Sequence, residues 1–63
     1  MSLQSHKMAI MIRAMAVNAQ VEAMKAENQA RQHRGQIPAY TESKFFACSR
    51  ELETLAREMI EFP

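Results

Sequence analysis

Chain breakers are almost missing from this sequence. One glycine, Gly35, and two prolines, Pro38 and Pro63, are all that 63 residues contain, and the two internal breakers lie close together. Gly35 and Pro38 therefore divide the chain into two helical arms around one connector. Cysteine is nearly absent as well. Cys48 is alone, so no internal disulfide can form. His6 and His33 are the other soft ligands, and none of the three stands at paired-ligand spacing, which argues against a structural zinc centre. A single thiol fits a reducing compartment, so the expected location is cytoplasmic. Long apolar runs are missing too. The longest, "MAIMIRAMAV" at residues 8–17, falls well short of the roughly 20 apolar residues that span a bilayer. It runs on into "AVNAQVEAMKAENQ", residues 16–29, a continuous helix former and a poor cleavage region, which argues against a secretory leader.

No catalytic, cofactor or metal signature stands in the sequence, so none is assigned. Length sets the next constraint. Chains this short bury only about 60% of the surface their unfolded form exposes. With disulfides excluded and no zinc-ligand spacing, the missing stability is expected to come from self-association or from a permanent partner.

Ala, Met, Gln, Glu, Lys and Arg, all strong helix formers, dominate from Gln4 to Arg34. The predicted first helix runs over about residues 5–34, with Ser2 or Ser5 available as its cap. In "RQHRG", Arg31, His33 and Arg34 sit where cations favour a helix C-terminus, and Gly35 suits the left-handed position beyond it. A connector over about 35–41 follows, containing Pro38, which resists helix continuation. The second helix is expected over about 42–61, with Thr41 or Ser43 as cap and Glu42 beside the positive end. Its apolar residues Phe45, Cys48, Leu52, Leu55, Met59 and Phe62 step by alternating threes and fours, a heptad seam assigned to the hairpin core. Ala56 and Ile60 widen one flank, and Glu53 stands four residues before Arg57 as a favourable surface pair.

The first helix has two apolar stripes. At about 100° per residue, Ile10, Ala14, Val17, Val21 and Met24 share one face, and Met8, Ile12, Met15, Ala19, Ala23, Ala26 and Ala30 share nearly the opposite one. One stripe can meet the second helix; the other is left for a different chain. The fold expected is all-α, a two-helix antiparallel hairpin dimerising into a four-helix bundle. The residues assigned to the oligomer interface are Met8, Ile10, Met11, Ile12, Met15, Val17, Val21 and Met24. A first helix of roughly 45 Å against a second of roughly 30 Å leaves an overhang, expected at the N-terminal end. Arg13 is expected at the edge between the two contacts.

Charge narrows the partners. The first forty residues carry five basic and two acidic side chains, net +3, and residues 41–63 carry three basic and five acidic, net −2. Opposed halves attract in a hairpin and do not build the strongly basic field usual in nucleic-acid binders. Arg31, His33 and Arg34 nevertheless form the densest basic cluster and stand as the candidate anion or nucleic-acid contact, with helix-end capping as their structural role. Cys48 reads as a small hydrophobe within the seam. Phe45 and Phe62 read as core, while Phe46 and Tyr40 are freer to rim an interface. The methionines suit an adaptable contact surface.

Two family resemblances bear on function. "FFACSRELETLAREM", residues 45–59, resembles the second helix of the sporulation phosphorelay aspartyl-phosphate phosphatases. Ser49 and Leu52 match that family's signature, while Arg50 and Glu53 replace its glutamine and its central aspartate. The whole chain, from "MSLQSHKMAIMIRAMAV" through "IPAYTESKFFACSRELETLAREMIEFP", resembles the small early-region (exo-xis region) proteins of lambdoid phages. That second resemblance implies a helical accessory protein that modulates phage development or the host cell cycle by binding other macromolecules in the host cytoplasm. It carries over no catalytic residue. The expectation is a non-enzymatic homodimer with an unidentified protein partner and no membrane association; the alternatives are a nucleic-acid-binding hairpin regulator and a phosphatase-like hairpin.

Overall fold

A computed structural model describes the backbone of residues 3–61 and the side chains of residues 4–61. Two helices make up the architecture, α1 (Leu3–His33) and α2 (Glu42–Glu61), packed against each other with no strand among the described residues. The order of their contacts fixes the direction: Asn28 bonds Tyr40, Val17 and Met24 cluster with Cys48, Arg13 pairs with Glu51, and Ile10 lies beside Met59 and Ile60. As numbers fall along α1 they rise along α2, so the helices are antiparallel.

The end of α1 is built as its sequence implies. Gly35 takes a positive φ of 73°. Gln36 N donates to Arg31 O at 2.8 Å and Gly35 N donates to Gln32 O at 3.0 Å, the paired 6→1 and 5→2 bonds of a Schellman motif. These bonds occupy carbonyls that would otherwise be left without a partner. At the other end, Leu3 is already helical, so Ser5 is a helix residue and not a cap; Ser2 lies outside the described residues. Thr41 occupies the cap position of α2, its carbonyl accepting from Lys44 N at 3.1 Å and from Phe45 N at 3.4 Å.

Between the helices the chain does more than reverse. Asn28 reaches from α1 to the returning connector: its Oδ1 accepts from Ala39 N and from Tyr40 N, both at 3.1 Å, and its Nδ2 donates to Tyr40 O at 2.9 Å. The connector thus runs back along the last turns of α1 before α2 begins. This moves the overhang. The stretch of α1 that α2 does not cover is its C-terminal end, where the connector lies instead, and not the N-terminal end expected from helix lengths alone. The physical reason is that the connector uses its residues to travel alongside α1, so that α2 begins near Met24 and its last turns stand beside Ile10 and Met11.

The core is small. Ile10, Val17, Met24 and Cys48 are buried; Val17, Met24 and Cys48 form one cluster, and Val21, Tyr40, Phe45 and Leu52 pack against it half-buried. Tyr40, expected at an interface rim, belongs to the core because the Asn28 bonds pull its backbone against α1. The result is a long, thin molecule, 49 × 17 × 12 Å, with a radius of gyration of 15.1 Å, where a compact domain of this length would have about 11 Å.

Candidate interaction surface

The structure divides the eight residues expected at an oligomer interface between two places. Val17 (1% exposed) and Met24 (2%) are sealed beneath α2 along with Ile10, and Val21 packs beside them. These four are hairpin core, because α2 covers the stripe that carries them. Met8 (60%), Met11, Ile12 (64%) and Met15 (69%) remain exposed. In the same stripe Ala19, Ala23 and Ala26 are also exposed and Ala30 is half-buried. The uncovered apolar face thus runs almost the length of α1, on the side turned away from α2.

Of the residues assigned to the core from α2, Cys48 is buried and Phe45, Leu52, Leu55 and Met59 are half-buried; Phe62 lies outside the described residues. Their incomplete burial has a geometric source. Ile10, Met11 and Ala14 on one side and Leu52, Ala56, Met59 and Ile60 on the other wall an open apolar groove of about 350 Å³ near the N-terminal half of α1, with Leu55 also at its wall. Ile60 and Met11 stand at its rim, both exposed.

Polar side chains outline this surface. Arg13 is exposed, as expected for an edge position, and it bridges the helices: Nε donates to Glu51 Oε1 at 2.7 Å. Its side chain is more than half exposed, so the pair adds only about 0.2–1 kcal/mol and orients more than it stabilises. The surface pair expected between Glu53 and Arg57 is not formed. In the basic cluster, Arg31 pairs with Glu27 one turn earlier at 3.0 Å, and Arg34 Nε donates to Gln36 Oε1 at 3.0 Å. His33 is exposed. Arg31 and Arg34 therefore bond to the helix end and its turn, while their charge stays near the surface.

Among the described residues no group of three or more His, Cys, Asp or Glu is placed to hold a metal ion, and no helix is long and apolar enough to cross a membrane. The residue that sequence reasoning overlooked is Asn28. Its signal was a poor helix former in the interior of a long helix, which gains its stability from the connector and not from its own turn. No protein family, curated protein or solved structure matches this chain.

The molecule as a whole is more exposed than a compact fold of its size. The chain exposes 5020 Å², whereas a compact monomer of 7.2 kDa would expose about 4,100 Å². The excess is about 900 Å², close to the roughly 800 Å² that each partner contributes to a standard protein interface.

Proposed function

We propose that the chain is a small, non-enzymatic interaction protein that self-associates as a dimer of hairpins, four helices in all, and works by binding other proteins. The observation that carries this reading is the exposed apolar face of Met8, Met11, Ile12 and Met15. A contiguous exposed apolar patch is where a contact surface is expected, and the surface excess is large enough for one standard interface. The resemblance to early-region proteins of lambdoid phages supplies a context for such a protein: an accessory regulator of phage development or host cell-cycle control, in the host cytoplasm.

Light scattering and sedimentation test the reading directly. The native chain is expected to have the mass of a dimer. Met15→Glu and Ile12→Glu place a charge on the outer face, where neither side chain is needed beneath α2, and are expected to lower the mass. A native chain that stays monomeric at high micromolar concentration, or variants that leave a dimer unchanged, would overturn it.

A further inference from the structure

The outer face of α1 repeats itself. Met8, Ile12, Met15 and Ala19 are spaced four, three and four residues apart, and Ala19, Ala23, Ala26 and Ala30 follow with the same spacing. An 11-residue repeat completes three turns at 3.67 residues per turn, close to the natural helix, so this seam runs nearly straight along one side. The two repeats differ in size. The first presents three long side chains, all more than half exposed; the second presents alanines alone.

We propose that this face pairs with the same face of a second copy, antiparallel, about a two-fold axis beside Ala19. In that register Met8 meets Ala30, Ile12 meets Ala26, Met15 meets Ala23, and Ala19 meets its own copy. Every layer except the central Ala19 pair then joins one large side chain to one small one, so the helix axes are held at the same separation on both sides of the centre and only one alanine layer is bridged between them. A parallel pairing in register sets Met8, Ile12 and Met15 against their own copies at one end and alanines against alanines at the other. Helix packing distances follow the side chains at the contact, over about 8–10 Å, so that arrangement is a wedge with a gap between its alanines. Charge points the same way. Glu22 and Glu27 lie on opposite flanks of the seam, and a parallel pair brings opposite flanks together, setting Glu22 near Glu27 of the partner. An antiparallel pair joins like flanks, and places Glu22 near Asn18 and Glu27 near Ala9. The excess surface of about 900 Å² matches what one such contact requires, and the two α1 helices become the centre of the four-helix assembly with the α2 helices outside.

This assignment rests on the self-association proposed above, and cysteine cross-linking with mass measurement separates the two. Cys48 is buried, so the native chain sets the background. Under mild oxidation, Ala19→Cys is expected to become mostly disulfide-linked dimer. Ile12→Cys alone is expected to stay at background, because in the antiparallel register its copies lie about 21 Å apart along the axis, far beyond disulfide reach. Mixing the Ile12→Cys chain with the Ala26→Cys chain is expected to yield the mixed dimer. If Ile12→Cys links to itself, or if Ala19→Cys does not link although light scattering shows a dimer, the antiparallel seam is wrong and self-association stands. A native chain that is monomeric overturns both.

Discussion

Asn28→Ala tests the device that sets the register of the hairpin. The substitution removes three hydrogen bonds to the connector, from Ala39 N and Tyr40 N and to Tyr40 O. A net bond of this kind contributes about 0.5–1.5 kcal/mol, and the set is half-buried, so the gross loss is about 2–3 kcal/mol. Alanine is the better helix former by up to about 0.7 kcal/mol, and the exposed backbone at Ala39 recovers a bond with water. The net cost is therefore about 2 kcal/mol. For a chain with a total stability of roughly 3–9 kcal/mol that is a large share, and it corresponds to a fall in Tm of about 8–16 °C. Urea unfolding followed by circular dichroism measures it, with native and variant chains at one protomer concentration because association shifts apparent stability. The m-value is expected to hold while the midpoint falls. A loss below about 0.5 kcal/mol would refute the reasoning and show that the connector is held by the packing of Tyr40 and not by Asn28.

Other positions make separate tests. Gly35→Ala meets no atom within 4 Å of the added Cβ, so its cost arises from the left-handed backbone alone, about 1–2 kcal/mol; an unchanged urea midpoint would show that the turn can be closed another way. Met24→Ala empties a core site that is 2% exposed and is expected to cost about 2–5 kcal/mol, whereas Met11→Ala, on the groove rim, is expected to cost much less; equal losses in thermal unfolding would contradict the assigned packing. Arg13→Ala breaks the exposed bridge to Glu51 and is expected to change stability by less than about 1 kcal/mol, with the difference shrinking as salt is raised; a larger, salt-independent loss would mean that Arg13 stabilises by packing.

Much of this molecule is legible residue by residue. The absence of breakers over α1, the Arg31–Gly35 terminus and the one-sided seam of α2 are local features, and local backbone preferences suffice to predict them. The choice between the two stripes of α1 is different in kind. The stripes lie on opposite faces and nearly cancel, so periodicity marks both as apolar without ranking them. Periodicity alone therefore assigns Ile10, Val17, Val21 and Met24 to an outside partner as readily as to α2, and helix lengths alone put the overhang at the N-terminal end. Both points depend on where the connector returns to α1, and Asn28 marks that place through bonds to residues eleven and twelve positions away that no neighbouring residue announces.

The sequence by itself determined two helices, the position of the break between them, how α1 ends, and the apolar character of every stripe, because each of these depends on side chains within a turn or two of one another. Tertiary structure alone decided which stripe of α1 is buried, where along α1 the second helix starts, and hence that Met8, Ile12 and Met15 are the residues left outside. Those outcomes depend on where the connector returns to α1, and the free energy of that return is settled by contacts that exist only once the hairpin has closed.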